Sequence, residues 1–214
     1  MGDCGACCGT TIDVQALQAR QKRVLKVVLV LNLVTFAMMV GAAWWSRSSS
    51  LLSGGLDNLG DALTYALSLA VVGASTAAKA RVSLFKGALI LLAALVVGAQ
   101  IVWRLANPAV PLFEGIGVAA LLNLGANLLC LRLLTPYRHG DVNLASAWEC
   151  SRNDVWEGLA VLAAALGVWL FDAGWPDLVI AAGLLVLFLR SAVRVFRASW
   201  EAMRQGSPQN SQVT

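Results

Sequence analysis

The sequence predicts an all-α membrane protein of six transmembrane helices with both termini cytoplasmic, and three observations carry that prediction. Of the 214 residues, 58% are hydrophobic and 13% are charged, whereas a soluble domain carries about 25% charged residues. Apolar runs of about 20 residues, enough to cross a bilayer core, recur along the chain. Lys and Arg collect at alternate ends of those runs, as they do in membrane proteins with a fixed orientation.

The runs cover residues 24–45, 51–75, 84–105, 112–134, 145–171 and 176–195. The first follows Arg20, Lys22, Arg23 and Lys26 and ends on Trp44 and Trp45. The second carries Gly54, Gly55, Gly60 and Gly73, which permit bending or a close approach of neighbouring helices. The third lies between the basic group Lys79, Arg81 and Lys86 and the pair Trp103 and Arg104. The fourth contains Asn123 and Asn127, an amide pair spaced for one helical face; this spacing predicts hydrogen bonds to other helices, and Asn32 in the first run reads the same way. In the fifth, Glu149 and Arg152 are spaced for an i,i+3 ion pair, with Arg152 snorkelling towards water. Cys130 in the fourth run reads as core. The sixth begins at Pro176 and runs towards Arg190, Arg194, Arg197 and Arg204.

An even number of spans returns both ends to one side. Arg132 and Arg138 join the first, third and sixth basic groups on that side, while the other side holds Arg47 and Arg104 beside an acidic turn with Asp172 and Asp177. The rich side is predicted to be cytoplasmic. Trp44, Trp45, Trp103, Trp169 and Trp175 all fall at outer ends, as an interfacial belt does. The organisation is therefore a cytoplasmic Cys-containing tail (1–23), a six-helix transmembrane domain (24–196) and a short polar cytoplasmic tail (197–214). The acidic, Gln-rich start is not that of a signal peptide. The net charge of +4 does not imply nucleic acid, because the basic residues border the apolar runs.

The polar residues inside the runs point to chemistry. Asp57 and Asp61 lie four residues apart in the second run, and Cys150 and Asp154 repeat that spacing in the fifth. Each pair shares one helical face. Ionisable groups inside a membrane are costly and mark ion or substrate paths. The second run descends and the fifth ascends, so packing them side by side sets Asp57 opposite Asp154 and Asp61 opposite Cys150. Three carboxylates and a thiolate around one point suit a tetrahedral Zn²⁺-like ion, and the thiolate favours softer ions such as Cd²⁺. Against this stand plainer readings: helix caps or ion-pair partners for the Asp pair, and a small buried hydrophobe for Cys150.

The stretches SSSLLSGGLDNLGDALTYALSLAVV and YRHGDVNLASAWECSRNDVWEG resemble the cation diffusion facilitator (cation efflux) family of six-span metal transporters. The second and fifth spans of that family each carry a [His/Asp/Cys]-x-x-x-Asp pair. The resemblance implies Asp57, Asp61, Cys150 and Asp154 as the transport site, proton-coupled efflux of a divalent transition metal such as Zn²⁺, Cd²⁺ or Co²⁺, no resident cofactor, and a homodimer. It matches a short bacterial-type member, in which Cys replaces the commoner His. Three features depart from the usual pattern. Residues 197–214 leave no space for the soluble C-terminal domain of typical members. The loop around 135–143 has only His139 where many zinc members are His-rich. Met38 and Met39 stand where relatives often place a carboxylate, and read as adaptable packing.

Cys4, Cys7 and Cys8 in the first eleven residues are thiols in a reducing compartment and offer auxiliary metal capture, against the reading of a dispensable tail. Metal ligands must lose protons to bind, so a site made of titratable groups couples naturally to counter-moving protons. The expected location is the inner (plasma) membrane. The rival classes are a membrane-embedded phosphotransferase, whose Asp-Gly and Ala-Arg signature is missing here, a mercury-uptake carrier and a purely structural membrane protein. Neither of the last two needs three intramembrane carboxylates.

Overall fold

A computed structural model describes residues 19–70, 76–138 and 142–205. Six long helices account for almost all of them: α1 (Ala19–Ser46), α2 (Ser49–Ala70), α3 (Thr76–Ala106), α4 (Phe113–Leu134), α5 (Val142–Phe171) and α6 (Trp175–Gln205). A short 3₁₀ turn, Thr135–Tyr137, follows α4 around Pro136. Among the described residues, four stretches are long and apolar enough to cross a membrane: Lys22–Ser46, Gly87–Ala106, Phe113–Tyr137 and Ala147–Phe171. The α2 segment falls short because it carries Asp57, Asp61, Asn58 and several Ser and Gly residues among its apolar ones. α6 continues as helix beyond the expected end at 195 to Gln205, so residues 197–205 of the expected polar tail are helical. Gly73, the last residues of the expected second span, His139 and residues 206–214 lie outside the described residues.

Helices α1, α2, α4 and α5 pack as a four-helix group, in which α1 lies on α2 and on α4 and α5 lies on α4. α3 and α6 form a pair that leans on α2 and α5. Successive helices run antiparallel, so the start of α1 and the end of α6 share one end of the bundle. The α1–α2 turn, the α3–α4 loop and the α5–α6 turn meet at the other end: Leu112 donates its N–H to the Ser46 carbonyl at 3.0 Å, and Arg104 donates to the Arg47 carbonyl. Trp44, Trp45, Trp103, Trp169 and Trp175 are all exposed at this second end. Leu and Val side chains of α3, α4 and α6 are exposed between the two ends. Such a surface suits acyl chains rather than water.

Small residues let the helices approach closely. A Cβ added at Gly54 would lie 3.0 Å from Met39 Cε, and one at Gly55 would lie 3.1 Å from Met39 Cβ. Met39 is fully buried and fills the space those glycines leave, so the packing reading of that methionine holds.

The four-helix group is layered. Near the end that holds the start of α1 and the end of α6, Leu25, Val28, Tyr65, Cys130, Leu134 and Ala147 form one buried cluster. Near the opposite end, Met39, Leu51, Ile116, Ala120, Val161 and Val168 belong to a second. Between them each helix contributes buried polar residues: Asn32 and Thr35 from α1, Asn58, Asp61 and Thr64 from α2, Asn123 and Asn127 from α4, and Ser151 and Asp154 from α5. Cys130 sits in the first cluster, as expected of a core thiol.

Candidate metal centre

Apolar layers flanking a polar one concentrate the cost of buried polar atoms at mid-depth, where each needs a partner. Two of those needs are met between helices. Asn58 Nδ2 on α2 donates to Asn123 Oδ1 on α4 at 2.8 Å, and Asn127 Nδ2 donates to the Asp154 carbonyl on α5 at 3.3 Å. Both asparagines of α4 thus tie helices together, as their spacing predicts. Asn32 does not: its Nδ2 donates to the Val28 carbonyl of its own helix at 2.9 Å, and its Oδ1 has no partner among the described residues. The Glu149–Arg152 ion pair forms within α5, and the Arg152 guanidinium also lies over the Trp148 ring.

The four candidate ligands stand on α2 and α5, which touch along part of their length. Asp61, Cys150 and Asp154 are 3%, 6% and 6% exposed. Asp57 is half-buried. Tyr65, one turn beyond Asp61 on α2, shares a buried cluster with Ala147 of α5, one turn before Cys150. Among the described residues, no three His, Cys, Asp or Glu side chains converge closely enough to form a metal-holding group. Chemically, the buried set can take up a cation: two buried carboxylates and a thiol are all acceptors once deprotonated. Cys4, Cys7 and Cys8 lie outside the described residues.

The second device in the bundle comes from a residue of the acidic turn where α5 passes into α6. Asp177, near the start of α6, is 1% exposed. Its Oδ1 accepts from Ser48 Oγ and Ser50 Oγ, each at 2.6 Å, and from the Ser50 N–H at 3.1 Å, while Oδ2 accepts from the Ser49 N–H at 2.6 Å. Ser48 Oγ also accepts from the Leu51 N–H at 3.1 Å, so it is the N-cap of α2. A carboxylate at a helix N terminus meets the free N–H groups and the positive end of the dipole. The clasp therefore ties the first turn of α6 to the first turn of α2, the helix that bears Asp57 and Asp61. Only the run of three serines hinted at it.

The turns around the clasp are tightly built. Arg47, with φ 58°, and Asp172, with φ 44°, occupy the left-handed region, which costs a non-glycine residue about 1–2 kcal/mol. A cavity of about 430 Å³ opens beside them, lined in part by Arg47, Arg104, Pro108, Asp172 and Trp175. None of the four candidate ligands lines it.

A layered helix bundle with an apolar girdle and a buried acidic centre has the form of a multi-pass membrane protein that handles cations. The profile of the cation efflux transmembrane domain matches residues 25–203, and the chain belongs to that family. It is a family of cation transporters and not of enzymes, which sets the phosphotransferase reading aside. A search of curated proteins finds no match to the chain.

Proposed function

We propose that the protein exports a divalent transition metal, Zn²⁺ or Cd²⁺ before Co²⁺, in exchange for protons, through Asp57, Asp61, Cys150 and Asp154. The observation that carries this reading is the burial of Asp61, Cys150 and Asp154 on two facing helices of a cation efflux chain. Carboxylates inside a membrane are costly and typically mark an ion or proton path. The donor set is mixed oxygen and sulfur, which suits Zn²⁺ and Cd²⁺ and suits octahedral Mg²⁺ badly. Burial between two apolar layers fits a site closed to both sides, with the four ligands drawn together when an ion neutralises them. Binding displaces protons from the ligands, and reprotonation on the far side expels the ion.

In this reading all six helices span the membrane. Both termini are cytoplasmic, since the basic residues cluster at their end of the bundle, and the membrane is the inner, plasma membrane. The protein works as a homodimer. Cys4, Cys7 and Cys8 raise the local concentration of soft metal without taking part in the transmembrane step.

The test is metal uptake into proteoliposomes from a panel of Zn²⁺, Cd²⁺, Co²⁺, Ni²⁺, Fe²⁺ and Mg²⁺, with and without a proton gradient. Zn²⁺ and Cd²⁺ uptake should speed up when the lumen is acid and should drain the lumen of protons, with Mg²⁺ at background. Uptake indifferent to the gradient would remove the antiport claim, and no uptake of any transition metal would remove the function.

A further inference from the structure

Tyr65 is 2% exposed, and its hydroxyl has no hydrogen-bond partner among the described residues. A buried donor left in that state is costly. Packing gives no reason for the oxygen. Leu25, Val28, Cys130, Leu134 and Ala147 surround the residue in its cluster, and a phenylalanine would fill the same space.

Position gives a reason. Asp57, Asp61 and Tyr65 follow one another at intervals of four on α2, so Tyr65 extends the row of candidate ligands by one turn. Helical side chains lean towards the N terminus of their helix. For Tyr65 that lean runs back along α2 towards the turn of Asp61. Ala147, a cluster neighbour of Tyr65, lies one turn before Cys150, and Cys130 lies one turn beyond Asn127, whose amide holds the Asp154 carbonyl. The phenol is thus set against the edge of the polar layer, one turn from Asp61.

We infer that Tyr65 is a positioning residue of the metal site, its hydroxyl donating a hydrogen bond to the Asp61 carboxylate when a metal ion is bound. The inference rests on the proposed quartet of ligands. A carboxylate that gives one oxygen to the ion turns the other towards a membrane interior without water, where it needs a donor. The Tyr65 hydroxyl is the idle donor beside it. Partners of this kind orient metal ligands, and losing one costs about 10–100-fold in affinity or activity.

The experiment compares the full-length wild type, Tyr65→Phe and Asp154→Ala in lipid nanodiscs, titrated with Zn²⁺ and with Co²⁺ as a spectroscopic probe. Tyr65→Phe should weaken Zn²⁺ binding at least about tenfold. It should keep the Cys150 thiolate-to-Co²⁺ absorption and leave the metal-free melting temperature unchanged or higher, because the idle hydroxyl is gone. Asp154→Ala should lose Zn²⁺ binding. If Asp154→Ala binds Zn²⁺ like the wild type, the quartet itself is wrong. If Asp154→Ala fails to bind while Tyr65→Phe binds normally, the quartet stands and the role of Tyr65 falls. A lower metal-free melting temperature or loss of the thiolate band in Tyr65→Phe also overturns it, since either makes the hydroxyl a support of the fold or of Cys150.

Discussion

Cys150 shows how a single residue divides the structural and functional readings. It is buried on α5 beside Ser151 and one turn before Asp154, a place where a small hydrophobe also fits. In the proposed quartet it is the one sulfur donor and would set selectivity, because thiolate favours softer ions than imidazole or carboxylate does. Cys150→His is predicted to lower the Cd²⁺ to Zn²⁺ uptake ratio about tenfold, equivalent to about 1.4 kcal/mol. Cys150→Asp should lower it further, and Cys150→Ser should weaken binding of both metals. Competitive uptake into inverted vesicles reads the ratio; equal ratios in all variants would return Cys150 to the core. At this scale sequence spacing was informative wherever the partner is local. It foresaw the Glu149–Arg152 pair, because both residues lie on one helix. It misjudged Asn32, since an amide can bond its own helix as readily as a neighbour and spacing alone does not choose.

Between elements, the clasp of Asp177 on residues 48–50 is the contact that sequence reading could least supply. Its partners lie 127 to 129 positions away, and an acidic residue in a polar turn looks like any solvated charge. Only folding brings α6 over the start of α2 and turns that charge into a cap. Asp177→Ala leaves two backbone N–H groups and two serine hydroxyls to find other partners. It is predicted to cost about 2–4 kcal/mol, judged from about 1.5–3 kcal/mol for a hydrogen bond to a charged group, while Asp177→Asn, which keeps an acceptor, should cost less. Thermal unfolding of the purified variants in detergent checks the order. Equal stability of wild type and Asp177→Ala would mean the clasp contributes nothing to the bundle. Helix lengths at the ends were equally hard to foresee: α6 continues to Gln205 because its last turns are charged yet still helix-forming.

At the scale of the whole molecule, the layers explain what was legible. Hydrophobic runs and their basic flanks are averaged over many residues, so the helical membrane architecture emerges from composition alone. The polar layer also shows in the sequence, as Asn, Asp and Ser at matching depths of α1, α2, α4 and α5. What the sequence lacks is the third dimension of that layer. Tyr65 reads as an ordinary aromatic until its hydroxyl is seen buried without a partner among the described residues, one turn from Asp61. The central claim is that metal crosses through the α2–α5 ligands, and the most direct measurement is Zn²⁺ uptake into proteoliposomes by Asp61→Ala and Asp154→Ala. Each variant should insert, remain folded and carry Zn²⁺ at no more than background, because losing one ligand opens the site and unbalances the charge left behind. Wild-type uptake by either variant, at equal amounts of folded protein, would contradict the account.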